Sequence, residues 1–294
     1  MGGFAIIEAP SVLGLFPQGV EFLPRALLDA GLREVIGARH AGRVVSPPYD
    51  PVGDVASGML NPAAIRDYSR SLADVVGAVM DAGDVPVVLG GDCSIVLGTL
   101  LALRRRGRYG LLFLDGHADF YDPASEPNGE AASMDLALAT GRGPEIVTEL
   151  EGYRPLVRDE DVVHVGRRDA DEANEAGSPR IEDSAITVID LLDVRRRGVG
   201  DVMFDALHRL VRDDLDGFWV HLDCDVLDDS VMPAVDYRLP GGLAWDELEA
   251  LLAAVVDSGG VAGLEITILN PALDPDGSRV GALVGCLGRA FGAR

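Results

Sequence analysis

The stretch LLFLDGHADF, residues 111–120, runs apolar for four residues and then stops on Asp115, His117 and Asp119, each two positions from the next. Apolar residues in succession, without polar alternation, describe a strand covered on both faces, the kind found in parallel sheets. Strand side chains repeat every two residues, so the three polar groups are expected on one face. The same pattern recurs twice. VPVVLGGDCS, residues 85–94, passes Gly90 and Gly91, which permit a tight turn, and opens the next helix with Asp92, Cys93 and Ser94; GFWVHLDCDVLDD, residues 217–229, ends in Asp223 and Asp225.

Working outward, further apolar runs DVVHVG (161–166), AITVIDL (185–191) and VAGLEITILN (261–270) alternate with helical patterns. Those patterns are LADVVGAVMDAG (72–83), SIVLGTLLALRRRG (94–107), FDALHRLVRD (204–213) and WDELEALLAAVVDSGG (245–260). Strand and helix in alternation predict an α/β fold: a single three-layer domain over residues 1–294, with a central parallel sheet flanked by helices. Residues 46–64 and 121–133, rich in Pro, Gly and Ser, read as long loops. In such a sheet ligands collect beyond the carboxyl ends of the strands, where the three acidic exits lie.

Composition narrows the partners. The chain has 294 residues, is 48% hydrophobic and carries a formal charge of −23. That charge argues against nucleic acid and anionic membrane and for cations, metal ions and cationic substrates. The sequence shows neither a long uncharged apolar run nor a basic leader before a cleavage pattern, so the cytoplasm is the expected compartment. Three scattered cysteines, Cys93, Cys224 and Cys286, do not form a disulfide framework.

Four carboxylates and an imidazole converging on one buried point would repel one another and resist ionisation unless cations neutralised them. One ion needs fewer carboxylates than this. Two ions about 3.5–4 Å apart, with bridging carboxylates and an activated water, account for the number.

The chain also resembles the ureohydrolases, the arginase, agmatinase and formiminoglutamase group of binuclear manganese enzymes. GGDCS (90–94), DGHAD (115–119) and DCDVLD (223–228) match that family's three metal motifs in order. GVEFLPRALLDAGL (19–32), VGRRDAD (165–171), LPGGL (239–243) and NPALD (270–274) match further stretches. The resemblance implies an arginase-like fold and two Mn2+ ions. In it Asp115 and Asp223 bridge the ions, His117 and Asp225 complete one shell, and Asp119 and Cys93 complete the other. Asp119 would orient the attacking water and pass its proton to the leaving nitrogen, with Asp115 and Asp223 holding the reacting centre. The implied reaction is hydrolysis of a guanidino or amidino C–N bond, releasing urea or an analogue and an amine. A homo-oligomer is also implied, being common in the family.

Departures accompany the matches. Cys93 stands where the family has a histidine, and its softer sulfur opens the site to iron, cobalt or zinc. Ala132 occupies the place of a histidine proposed as proton shuttle, and Tyr121 that of an asparagine that in arginases binds the substrate carboxylate. Ile268 replaces the guanidinium-binding glutamate. Glu265 matches a neighbouring aspartate and reaches the substrate only through a bulge or a changed register. Asp171 matches the aspartate that meets the substrate's amino group. His221, two residues before Asp223, reads either as support for the ligands or as a core histidine. The rivals to a urea-releasing enzyme are a formimidoyl-amino-acid hydrolase and a metal-binding pseudoenzyme with a regulatory or structural role.

Overall fold

The computed structural model describes residues 2–292. Eight strands form one sheet: β1 Phe4–Glu8, β2 Arg39–Arg43, β3 Val85–Leu89, β4 Gly110–Leu114, β5 Val162–Val165, β6 Thr187–Ile189, β7 Phe218–Asp223 and β8 Val261–Thr267. Their order is β2-β1-β3-β8-β7-β4-β5-β6, and every pairing is parallel. The single α/β domain is therefore as expected, and β3 to β8 coincide with the six apolar runs.

The five longest helices are α1 Pro62–Asp81, α2 Val96–Arg104, α3 Val199–Leu210, α4 Trp245–Asp257 and α5 Ser278–Phe291. They cover the sheet on both faces, and β4 shows how. Leu111 and Phe113 point into one apolar layer with Leu72 and Val76 of α1 and Leu97 and Leu101 of α2. Leu112 and Leu114 point into the other, with Val202 and Met203 of α3, Leu251 and Leu252 of α4, and Leu283 and Leu287 of α5. Each such fully buried aliphatic side chain contributes about 1.5–3 kcal/mol through its removal from water.

Two strands were not read from the sequence, and only the first of them lacked a signal. β2 is Arg-His-Ala-Gly-Arg, without a buried residue, at the sheet's edge. It forms by pairing with β1, where Glu8 meets His40 at 2.9 Å and Arg43 at 3.3 Å. β1, Phe-Ala-Ile-Ile-Glu, is as long as β3 and β4 and buries its three central residues, so its apolar stretch was legible. The loop expected at 46–64 gives up its last three residues to α1, which Pro62 opens in a position where its missing N–H costs nothing.

Gly90 and Gly91 serve close approach rather than an unusual turn, since neither has a positive φ. A Cβ on Gly91 would stand 1.6 Å from the Ser11 carbonyl oxygen. The loop after β1 thus presses directly on the exit of β3. Gly91→Ala should abolish soluble expression, whereas Gly281→Ala, where a Cβ meets nothing within 4 Å, should fold normally; equal yields would refute the packing argument. A second expectation concerns Asp161, whose buried carboxylate is gripped by Arg108 (2.7 and 2.9 Å) and Arg212 (2.5 Å). Asp161→Ala should cost about 2 kcal/mol in denaturant unfolding, less than the ~3–5 kcal/mol of a wholly buried pair because both arginines keep water contact. A change within error would show the cluster to be neutral.

Candidate metal centre

The exits of β3, β8, β7 and β4, neighbours in the sheet, meet at one place. After β3, Asp92 caps a 3-10 turn, accepting from the Ser94 N–H (3.0 Å) and the Ser11 hydroxyl (2.7 Å), and so fixes Cys93 at the turn's first residue. After β7, Asp223 caps another turn by accepting from the Asp225 N–H (2.7 Å). After β4, Asp115 accepts from the His117 N–H (2.6 Å), and Asp225 accepts from the Gly116 N–H (3.0 Å) while its other oxygen lies 2.8 Å from His117 Nδ1. These aspartates hold their own loops and leave further oxygen lone pairs for the centre.

Among the described residues, three groups of potential ligand atoms each lie within 4.8 Å of one another. One is Asp115, His117 and Asp225; the second is Cys93, Asp119 and Asp135; the third is Cys93, His221 and Asp223. All six residues named as metal ligands from sequence are brought together. Asp119 arrives differently from the expectation of a shared strand face: β4 ends at Leu114, and Asp119 adopts a left-handed φ of 45°, turning it toward Cys93.

The electrostatics match a cation site. Burial and the charge of Asp225 push Asp115 up to about 6. Burial and the neighbouring aspartates likewise push Asp119, Asp135 and Asp223 well up. Asp225 alone of the five is lowered: burial opposes its charge, but the His117 imidazolium beside it wins. Burial, then Asp223, drive the Cys93 thiol up as well, and its sulfur lies 2.8 Å from Asp223 Oδ2 as a donor. Several buried atoms also lack a hydrogen-bond partner: Asp115 Oδ2, both oxygens of Asp135 and His221 Nε2. Unpartnered acceptors and crowded carboxylates both call for positive charge, so this donor set fits metal ions.

Above it lies a cavity of about 90 Å3, several times the ~10–15 Å3 that one water requires. Cys93, His117, Asp119, Asp223 and Asp225 line it together with Tyr121, Ala132 and Ile268, and its wall includes Leu15, Glu126, Ser133, Glu172 and Tyr237. Tyr121, assigned to substrate from sequence, therefore faces the cavity, and burial followed by Asp169 pushes its phenol up to about 12.

Two sequence assignments need correction. Glu265 does not reach the cavity: it is fully buried, with one oxygen 2.8 Å from His221 Nδ1 and the other accepting from the Thr99 hydroxyl at 3.0 Å. Its register opposite His221, two residues below Asp223, places it beneath the centre, and the register shift between Phe218 and Trp219 does not lift it to the cavity. Asp171 is exposed and absent from the lining, where its neighbour Glu172 stands instead, because both belong to one helical turn and project at different angles. Reading the sequence also missed Asp135. Its one signal was a lone acid in the apolar stretch SMDLALA, residues 133–139.

Protons and metal ions compete for these carboxylates, and a raised pKa moves that competition upward in pH. The thermal midpoint gained on adding Mn2+ should therefore be larger at about pH 7.5 than at about pH 5.5, where a larger share of Asp115 holds a proton. Equal gains at the two pH values, by calorimetry, would refute the assignment of Asp115 to the centre.

Comparison with known proteins agrees with this geometry. The Arginase family model matches residues 3–287. An arginase of Brevibacillus brevis is 30% identical, the match covering 98% of this chain and 97% of that protein. The arginase of Bacillus caldovelox is 29% identical over 100% of this chain and 99% of that protein. Its native structure superposes with a TM-score of 0.88 at 28% identity, covering 100% of this chain and 99% of the other. Formimidoylglutamase of Bacillus subtilis shares the fold, with a TM-score of 0.75 at 21% identity over 99% of this chain and 86% of the other. With its motifs, sheet order and whole-length match in accord, the chain belongs to the arginase family of ureohydrolases.

Proposed function

We propose that the chain is a binuclear metal-dependent hydrolase that cleaves the C–N bond of a small guanidinium or amidinium compound, releasing urea or its analogue and an amine. The observation that carries this reading is the cavity's floor, where Cys93, His117, Asp119, Asp223 and Asp225 converge over the buried Asp115. Asp115, His117 and Asp225 would hold one divalent ion, and Cys93, Asp119 and Asp223 would hold the other. Manganese is the family's metal, and the Cys93 sulfur extends the choice to iron, cobalt or zinc. When bound, such a pair supplies a water of lowered pKa and charge stabilisation at the reacting carbon.

The protein's own residues do the remainder. Glu126 and Glu172 make the cavity's wall acidic and favour a cationic head. Asp119 lines the cavity beside that head, within reach of a proton to pass to the leaving nitrogen. Leu15, Ala132 and Ile268 give the cavity an apolar side. That side offers no carboxylate to pair with a full guanidinium, which supports an amidine or a substituted guanidine, including a formimidoyl amino acid, over free arginine. Ile268 is itself held at φ 65°, a conformation that costs a β-branched residue about 1–3 kcal/mol and is characteristic of functional sites. A cytoplasmic setting is in keeping with three buried free thiols.

The test is release of urea, formamide or ammonia by metal-loaded protein from a panel of guanidines and amidines, run alongside Ile268→Glu. Turnover of an amidine or substituted guanidine by the parent is expected. Ile268→Glu should raise kcat/KM for an unsubstituted guanidine by roughly tenfold or more, the change expected from about 1.4 kcal/mol of added pairing. A parent that binds two ions yet turns over no member of the panel would assign the chain to a non-catalytic role.

A further inference from the structure

We propose that the ion beside Cys93 is held by a rebuilt donor set in which His221 and Asp135 are ligands, making it a mixed sulfur, nitrogen and oxygen site. The proposal rests on reading the cavity floor as a metal centre, and it adds two residues to that centre which neither composition nor motif spacing singled out as ligands.

His221 carries the argument. It is fully buried in β7, and its ring stacks on Phe113 with centroids 4.4 Å apart and planes 7° from parallel. Glu265 Oε1 lies 2.8 Å from its Nδ1, and Glu265 is steadied in turn by the Thr99 hydroxyl at 3.0 Å. A carboxylate only accepts, so Nδ1 donates to Glu265, which leaves Nε2 as the ring position open to a ligand. That nitrogen has no hydrogen-bond partner, and the ring offers a nitrogen within 4.8 Å of both Cys93 Sγ and an Asp223 oxygen. A histidine that merely packed would leave this buried nitrogen unpaired, with its lost hydration uncompensated. A carboxylate behind one nitrogen and an open lone pair on the other is the arrangement by which proteins orient metal-binding imidazoles.

Asp135 supplies the second, independent observation. It is fully buried and neither of its oxygens has a hydrogen-bond partner. One of them lies within 4.8 Å of Cys93 Sγ and of an Asp119 oxygen. Cys93 is thus common to two donor groups, one with His221 and Asp223 and the other with Asp119 and Asp135. Sulfur and imidazole together favour zinc, cobalt or iron over manganese at this position, while Asp115, His117 and Asp225 form a harder site.

The experiment uses the full chain, stripped with chelator and titrated with Co2+ alone, followed by calorimetry and absorption. The parent should take up two equivalents, one of them producing a sulfur-to-cobalt charge-transfer band. His221→Gln and Asp135→Asn should each weaken that equivalent by about 10–100-fold, leaving the other unchanged. Both variants keeping the parent's stoichiometry, affinity and band would overturn the proposal. Since a core substitution can fail to fold, the unmutated protein gives a separate reading: X-ray absorption of the chain loaded with two zinc ions should average one imidazole per zinc, His117 on one and His221 on the other, with sulfur at half that number. Sulfur with only half an imidazole per zinc overturns the proposal while the metal-centre reading stands. A parent that takes up no second ion overturns both.

Discussion

Repulsion among buried carboxylates governs the working end of this molecule. Two like charges about 4 Å apart cost roughly 4 kcal/mol even at an effective dielectric of 20, and here Asp115, Asp119, Asp135, Asp223 and Asp225 are all buried together. His117 is the positive group that meets them directly. The guanidinium of Arg168 is nearby, but it is engaged with the carbonyls of Asp225 (2.5 Å), Leu227 (3.1 Å) and Leu239 (3.1 Å). It holds the loop after β7 in place and eases the charge on Asp225 without neutralising the group as a whole. A fold that gathers so much negative charge in one buried place is suited to cations.

The surroundings are arranged to keep these acids in position. Asp92 ties the exit of β3 to Ser11, and Gly91 lets the two loops touch. His164 Nε2 lies 2.6 Å from the His117 carbonyl, and Phe113 and the Glu265–His221 pair form a floor below Asp223. The strained backbone at Asp119 and Ile268 stands against this otherwise rigid support, at the two places where the chain turns into the cavity. Rigid surroundings are what make such strain sustainable.

Cys93, His221 and Glu265 are best understood together. Sequence alone presents Cys93 as a replaced ligand, Glu265 as a displaced substrate group and His221 as either support for the ligands or a core residue. In the folded chain β7 and β8 set His221 opposite Glu265 in register, and the turn after β3 carries Cys93 over them. Three separate departures become one structural unit, with a sulfur, an imidazole and its orienting carboxylate in line below Asp223.

Much was legible in the chain itself. Apolar runs without alternation disclosed the buried parallel strands β3 to β8, because burial on both faces leaves no polar side to write into the sequence. Acids just past those runs marked the centre, because so many converging at strand exits exceed what turn capping alone requires. β2 was illegible, since an edge strand of Arg, His, Ala and Gly gains its hydrogen bonds from β1 and not from its own composition. Asp135 was hidden too, lying in the stretch after the 121–133 loop, where no period applies. Local pattern determined which residues would be strand, helix or exit. Only the tertiary structure decided which exits met, because the neighbourhood of β3, β8, β7 and β4 arises from the order of strands across the sheet. It alone turned Asp119 toward Cys93, placed Glu172 rather than Asp171 at the cavity and sank Glu265 beneath it, since each depends on backbone direction and cross-strand register that a linear sequence does not carry.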